Sequence, residues 1–551
     1  MGNHLAALKG WIAIALIATG VVGAQAGKVI IATSPVGKSH LMNLKVIAKE
    51  IEQRGHSVMW VAVAADVSFL QPTNSNIISY AMQGRSYDTP VPDFRVTADI
   101  TWTNLWQGMN LLLSDSCIGL MSNQTALDYM KAFQADVMIA EVFTPCSALL
   151  AHTLDLPWIN FWPGSPAEPF GNVPWAGSNR RMVQPNPLSY YPQFRVKGTG
   201  PTTQHLSLWQ RVENYAMYWY WVWDDWRIHS AVVRKLYKKY DFDPDVIEER
   251  RRMVMTLVPV DWAAEWLRPV TPNYKLVGPI LSGPGKALPA HLEAFMDGAG
   301  EQGVLLVSLG TIAELEQQQL KGMAAAFAAL PSKVLWRLTA KEVPDGAAMA
   351  ALELGNNTQV LTWVPQNDIL AHPNLRAFLS HVGINSMYEA IYHGKPLVCM
   401  PFFADQPTNA DRVVAKGFGV RLDPSQAGTP AFGKAIMEVL SNPQYTEAAQ
   451  AMSVKIRARK NTPVQEAADW VEHVLETKGE PYLKTPEDEL SFIVRNSLDV
   501  YAILAACCCI FATAAKALIQ LLLSSCRPGY KTLLADGSLP PMSAMSKAKA
   551  N

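Results

Sequence analysis

The chain has 551 residues, enough for two to four globular units at roughly 150 residues each. Forty-seven basic residues balance forty-seven acidic ones, so neither a nucleic acid nor a broadly anionic surface is indicated as partner. With 49% apolar and 17% charged residues, disorder, collagen and a long coiled coil are excluded, and the apolar surplus belongs in a large core, in membrane, or in both.

Residues 1–26 have the anatomy of a cleaved secretory signal. A weakly basic start runs to Lys9, an apolar stretch follows from Trp11 to Val22, and Ala24-Gln25-Ala26 supplies a small-x-small site. Lys28 to Ser34 then reads as a buried strand. Leu44, Ile47, Ala48 and Ile51 recur at helical spacing, Gly55 closes that helix, and Val58 to Ala64 forms the next strand. Strand–helix–strand is the opening of a doubly wound sheet. Inside it, Ala32-Thr33-Ser34-Pro35-Val36-Gly37-Lys38-Ser39 imitates a phosphate-binding P-loop. The first position is Ala32 where glycine is required, and Pro35 removes an N–H from the cradle, so a P-loop NTPase is the minor alternative. Ala135 to Ala140 predicts another strand, and Cys146 to Asp155 a helix. Residues 205–240 form an aromatic helical stretch where Trp219, Trp223 and Trp226 share one face, packed on the core or against a bilayer interface.

A first domain is thus expected over 27–278 and a Pro/Gly-rich linker over 279–301. A second domain follows over 302–446. Its strands are predicted at Val304 to Leu309, Val334 to Leu338, Gln359 to Val364, Arg376 to Ser380 and Pro396 to Met400, with helices over Gln317 to Leu330 and Asn385 to His393. Alternation of β and α in both halves predicts an α/β fold of two Rossmann-like domains facing across a cleft.

Helices and a stalk are expected over 447–497, a transmembrane helix over 498–523 and a tail over 524–551. Leu498 to Leu523 is apolar apart from Asp499 and Lys516, and spanning hydrocarbon takes about 20 such residues. Arg527, Lys531, Lys547 and Lys549 follow it, whereas Glu487, Asp488 and Glu489 precede it. The positive-inside rule puts the tail in the cytosol and the rest in the lumen, a type I single-pass arrangement. Lys547 and Lys549 resemble a dilysine signal for the endoplasmic reticulum. Cys507, Cys508, Cys509 and Cys526 accompany the span, where palmitoylation occurs. The remaining three, Cys117, Cys146 and Cys399, are an odd number, and no disulfide framework is expected. Asn123-Gln124-Thr125 and Asn356-Asn357-Thr358 are glycosylation sequons.

The residues with the strongest chemistry lie between Trp363 and Ala410. Trp363 offers a flat face on which a base can stack. Gly383 stands where a strand turns into a helix, so N–H groups at that helix start can approach a diphosphate, with His381 donating from the same turn. Glu389, further along the helix, has the acceptor oxygens that ribose hydroxyls need, and Asp405 and Gln406 can grip sugar hydroxyls likewise. In the first half, His40 follows the first strand at the mouth of the first helix, where an open α/β sheet keeps its crevice. Its imidazole can take a proton from an attacking hydroxyl. No His, Cys or Asp cluster shows metal-ligand spacing.

Trp363-Val364-Pro365-Gln366, Ser380-His381-Val382-Gly383-Ile384-Asn385-Ser386 with Glu389, and Asp405-Gln406 together resemble the donor signature of the UDP-glycosyltransferases, close to the animal UDP-glucuronosyltransferase type. The resemblance runs over nearly the whole chain and implies the GT-B fold. It implies that uracil stacks on Trp363 beside Gln366. The diphosphate meets Ser308, Thr311, His381, Gly383, Asn385 and Ser386, ribose meets Glu389, and Asp405 and Gln406 hold the donor sugar. His40 matches the family's general base, and Glu141 stands where the family has an aspartate partner, one methylene shorter.

The implied reaction is an inverting, metal-independent transfer of glucose or glucuronate from a UDP-sugar, a co-substrate, to a hydroxyl of a small lipophilic molecule or lipid. No cofactor is called for, and a homo-oligomer is left open. Two departures stand out. Val382 replaces the glycine usual in animal relatives and is expected to crowd the phosphate turn. Pro259, in Leu257-Val258-Pro259, stands where glucuronate users often carry arginine. That tilts the donor toward UDP-glucose or another neutral hexose, unless Arg337 or Lys395 substitutes. If Glu141 and Val382 mark decay, the alternative is a non-catalytic UDP-sugar-binding membrane protein.

Overall fold

The computed structural model describes residues 26–35, 37–71, 75–84, 102–144, 146–165, 207–209, 212, 216, 234–243, 246–267, 270–310, 315–339, 342–484, 490–495 and 497–525. The signal segment, Trp219, Trp223, Trp226, Thr311, Cys526 and the basic tail lie outside them. The described chain forms two compact units, one within residues 1–485 and one within 486–551.

The first unit holds two parallel sheets. β1 (Lys28–Ala32) leads into α1 (Lys38–Gln53), then β2 (Ser57–Val63) and β3 (Asn76–Tyr80). After α2 (Trp102–Ser122) come β4 (Val137–Glu141), α3 (Ser147–Leu154), β5 (Trp158–Phe161), β6 (Met253–Val258) and β7 (Tyr274–Leu276). All pair in parallel in the order β3-β2-β1-β4-β5-β6-β7. The second sheet contains β8 (Val304–Ser308), β9 (Lys333–Arg337), β10 (Thr358–Leu361), β11 (Leu375–Ser380), β12 (Leu397–Cys399) and β13 (Gly419–Arg421). It too is parallel, in the order β10-β9-β8-β11-β12-β13. Strands such as Val-Met-Ile-Ala-Glu and Val-Leu-Leu-Val-Ser are buried at every position, as sheets covered on both faces require.

Strand order reverses direction twice, between β1 and β4 and between β8 and β11. In an open α/β sheet the crevice for a ligand opens beyond the strand ends at such a switch. Three helices of the second lobe matter to it: α4 (Gln366–Ala371), α5 (Ile384–Tyr392) and α6 (Gln406–Ala415).

The last two helices of this unit part company. α7 (Pro443–Arg457) lies on α5, whereas α8 (Pro463–Glu476) returns to the first lobe and lies along α1. Thr462 and Gln465 form a capping box that starts α8 at Pro463. Its buried Ala467, Ala468, Val471 and Val474 then join Leu44, Ile47 and Ile51 in one core. Arg54 clamps the contact, donating to Asp469 and Glu472 at 2.7 Å each. Helices α7 and α8 therefore serve one lobe each.

One disulfide is present among the described residues, although no disulfide framework was expected. Cys117 in α2 joins Cys146 at the head of α3, with 5.4 Å between Cα atoms and a sequence separation of 29. Cys399 is free and buried. The sequence reading missed the bond because residues far apart in the chain meet only once β3 and β4 are placed. Of the two sequons, Asn123 uses its side chain to cap a helix through the Ala126 N–H at 3.1 Å, while Asn356 is exposed.

The second unit centres on α9 (Leu498–Ser525), 28 residues with Asp499 in its first turn. The most apolar 18-residue window within residues 498–524 has a mean hydropathy of 2.2, and none of that window is buried within the protein. At 1.5 Å per residue the helix is roughly 42 Å long, enough to cross a bilayer core of about 30 Å.

Candidate active site

The site is built from the two switch points. His40 lies in the first turn of α1, just beyond β1, and Glu141 ends β4, the neighbouring strand. Gly37 precedes the helix at φ +81°, a conformation that suits glycine, and a Cβ there would stand 3.4 Å from the His40 ring. The His40 Nδ1 is 3.0 Å from Glu141 Oε1. Glu141 is buried, and its Oε2 accepts the Phe143 N–H at 3.0 Å. The Phe143 ring stacks on the imidazole, 5.6 Å between centroids and 17° between planes. With Nδ1–H given to the carboxylate, Nε2 carries the lone pair. The longer glutamate closes the pair all the same.

The same helix reaches the second lobe. Asn43, one turn after His40 and fully buried, donates to Ser39 O at 3.0 Å and to Asn385 Oδ1 at 3.4 Å. Asn385 is in the first turn of α5, so the helix that carries His40 touches the helix start expected to hold diphosphate.

Around that start, Ser308 ends β8 and His381 follows β11, again the two strands of a switch point. His381 is half-buried beside Gly310 and Gly383, and a Cβ on Gly383 would sit 2.7 Å from its Nε2. Burial pushes its pKa down to about 4, a hydrogen bond with the Ser308 main chain pulls it up, and the Arg337 charge lowers it further. His381 is therefore neutral at physiological pH, and its Nδ1 has no hydrogen-bond partner among the described residues. Val382 adopts φ +58°. Its side chain is fully buried in the core with Ile384, Met387 and Tyr388, so it packs away from the turn instead of crowding it.

Gln366, at the head of α4, donates to Ser386 Oγ at 3.1 Å and to Glu389 Oε2 at 2.5 Å. Burial raises the Glu389 carboxyl to about 7, against the lowering effect of the Gln366 bond and with help from the Asp368 charge. Trp363 is 69% exposed, with its ring open to solvent. Asp405 and Gln406 are more committed than expected. Asp405 Oδ2 accepts the Ile384 N–H at 3.1 Å and Asn409 Nδ2 at 2.6 Å, so it occupies part of the α5 helix start. Burial raises its pKa, and the Asn409 bond and the Arg412 charge oppose that. Gln406 Oε1 accepts the Phe402 and Phe403 N–H groups at 2.8 and 3.2 Å, so its oxygen is committed to the main chain.

Sequence reasoning missed Asn43 and Phe143, although both stand at short spacing from a named residue: three after His40 and two after Glu141. The cations considered for a glucuronate carboxylate are committed. Lys395 donates to the His372 and Leu375 carbonyls, at the start of β11 and away from His381 at its end. Arg337 donates to Gly310 O at 2.8 Å. One cluster of potential metal ligands does exist among the described residues, Glu293, Asp297 and His372. His372 Nδ1 accepts the Asn374 N–H, which leaves the proton on Nε2 facing the two carboxylates, a donor and not a ligand.

Comparison with known proteins identifies the family. Residues 27–534 match the family described as UDP-glucoronosyl and UDP-glucosyl transferase. The chain is similar to UDP-glucuronosyltransferase 2B1 of Rattus norvegicus, 31% identical over 508 residues, covering 87% of this chain and 90% of the relative. It is equally similar to UDP-glucuronosyltransferase 2A2 of Mus musculus, 31% identical over 513 residues, with 87% and 92% covered. Among solved structures, the calicheamicin glycosyltransferase CalG4 superposes with a TM-score of 0.57 at 21% identity, over 82% of this chain and 99% of that one. A UDP-glucosyltransferase from Polygonum tinctorium does so with 0.56 at 18%, over 82% and 99%. These likenesses establish the GT-B fold, and the family match overturns the P-loop NTPase alternative. The chain therefore belongs to the UDP-glycosyltransferase family, and is an enzyme that transfers a sugar from a UDP-sugar.

Proposed function

We propose that this enzyme transfers a neutral hexose, with inversion and without a metal, to the hydroxyl of a lipophilic acceptor, using His40 as general base. The observation that carries the reading is the contact between Asn43 and Asn385, since it sets the His40 helix against the diphosphate turn. Acceptor oxygen attacks the anomeric carbon from the face opposite UDP. The C–O bond to the diphosphate breaks, the acceptor proton goes to His40 Nε2, and UDP leaves with the electron pair. Glu141 balances the imidazolium that forms. Uracil stacks on Trp363, Glu389 accepts the ribose hydroxyls, and the α5 start with Ser308 and His381 neutralises the departing charge. Asp405 and the Gln406 amide hold the sugar.

The neutral-hexose reading rests on Pro259 and on the engagement of Arg337 and Lys395 elsewhere. The relatives' names favour glucuronate, and UDP release with each donor separates the two. We further propose a single-pass protein of the endoplasmic reticulum, luminal before residue 497. The apolar α9 and a disulfide of the kind that forms in oxidising compartments support it.

The decisive experiment is His40→Ala in the full-length protein, with UDP release measured against a panel of lipophilic alcohols. Turnover should fall by about 10²–10⁴ while UDP affinity stays within about twofold. Wild-type turnover in the variant, or an α-linked product from an α-linked donor, sinks the mechanism.

A further inference from the structure

Behind the donor end of the site lies a buried charged network for which the reaction so far has no use. Arg412 of α6 and Glu265, on the loop after β6, are each 0% exposed and in direct contact. Arg412 Nη1 also donates to Ser165 Oγ at 2.8 Å, and that hydroxyl donates to Glu265 Oε2 at 2.5 Å. Its Nη2 donates to Asn409 Oδ1. Asn409 in turn spends its amide on Asp405 Oδ2 at 2.6 Å and on the Val382 carbonyl at 2.9 Å. The other oxygen of Glu265 accepts from the Tyr388 hydroxyl of α5 at 2.9 Å, and that hydroxyl accepts the Asp261 N–H at 2.9 Å. Ser165, Asp261 and Glu265 belong to the first lobe. Tyr388, Arg412, Asn409 and Asp405 belong to the second.

Two features make this more than packing. Burying two opposite charges is costly, and apolar side chains of similar size commonly stabilise a protein as well or better. An ion pair retained in such a place calls for a role in orientation. Moreover, the second-lobe members of the network lead to the donor turn: the Asp405 carboxylate, the Val382 carbonyl and the helix that begins at Ile384. The bonds from Ser165 and Glu265 to Arg412 exist only while the two lobes are docked.

We propose that Glu265 and Arg412 are positioning residues that hold Asp405 and the Val382–Ile384 turn at working distance from the donor sugar, so that the grip on the sugar depends on lobe docking. The inference rests on the reading that Asp405 binds that sugar. Glu265→Gln is the first test, because it keeps the shape while removing the charge and one of the two acceptor oxygens. It should raise the KM for the faster-used UDP-sugar by about three- to tenfold, with the Kd for UDP alone within about twofold. Asp405→Asn should do the same more strongly. Because both act through one carboxylate, Glu265→Gln added to Asp405→Asn should cost less than about a further twofold in KM. The double change Glu265→Met with Arg412→Met should hold the unfolding temperature yet share the raised KM.

An unchanged KM in Glu265→Gln overturns the inference and leaves the role of Asp405 intact. So does full additivity with Asp405→Asn, or a loss of unfolding temperature with normal KM in the folded enzyme. An unchanged KM in Asp405→Asn removes the underlying reading, and the inference goes with it.

Discussion

Glu141 reaches His40 because its two oxygens are held in different directions. Oε2 is tied to the Phe143 N–H, which turns Oε1 toward the imidazole at 3.0 Å. Glu141→Asp would withdraw the carboxylate by about one C–C bond, roughly 1.5 Å, too far for one group to keep both contacts. We expect kcat to fall about tenfold with UDP affinity unchanged, in a steady-state comparison against wild type. An equal or faster rate would mean that the glutamate is no adaptation of the pair. At Val382 opposing magnitudes decide. A β-branched residue at positive φ costs about 1–2 kcal/mol, whereas full burial of a valine is worth about 1.5–3 kcal/mol. Burial wins, which is why a valine can occupy the turn. His40, Glu141 and His381 were legible in the sequence, the first as the residue after a strand and the other two through the family's motifs. Phe143 was not, since a stacking aromatic leaves no periodic trace.

Among the elements, α5 carries most of the residues proposed to bind the donor, and on that proposal Glu389 gives binding a pH dependence. Its carboxyl is raised to about 7 in the folded protein, so in the unbound enzyme the neutral form dominates below that value. A raised acid contributes stability that is present below its unfolded pKa and is lost as pH rises through about 7. Nucleotide binding has the opposite sign, because two ribose hydroxyls need acceptor oxygens. UDP affinity should improve by about tenfold from pH 6 to pH 8, with proton release on binding near pH 6.5. Calorimetry in buffers of different ionisation enthalpy measures both, and Glu389→Gln should abolish this part of the proton release. Retention of the full pH slope in that variant would assign it elsewhere. The sequence marked α5, β8 and β11 to within a residue or two because their patterns are long and apolar. It did not mark β3, β5, β6, β7 or β13, of which β5, β7 and β13 have only three or four residues and show little period.

At the scale of the molecule, the crossing of α8 back to the first lobe means that the sheet ending at β7 lacks part of its cover until the chain is complete. Four apolar residues of α8 fill the core beneath α1. A fragment of residues 27–278 should therefore be insoluble or partly unfolded, and addition of a peptide covering residues 459–484 should raise its thermal transition. A stable, cooperatively folded fragment without the peptide would show that α8 is dispensable. The boundary between the sheets could be read from the Pro/Gly-rich segment, but the return of α8 could not, because its capping box and apolar stripe name no partner.

The bond between Cys117 and Cys146 closes a loop of about 30 residues, worth roughly 3–4 kcal/mol on the chain-entropy account. Its second cysteine is five residues beyond Glu141, on the very connection that carries Phe143. Manufacture in a thiol-rich cytosol would thus leave the His40–Glu141 pair hanging from an untethered connection, and, with His40 the proposed base, material purified that way should lose turnover out of proportion to its nucleotide affinity.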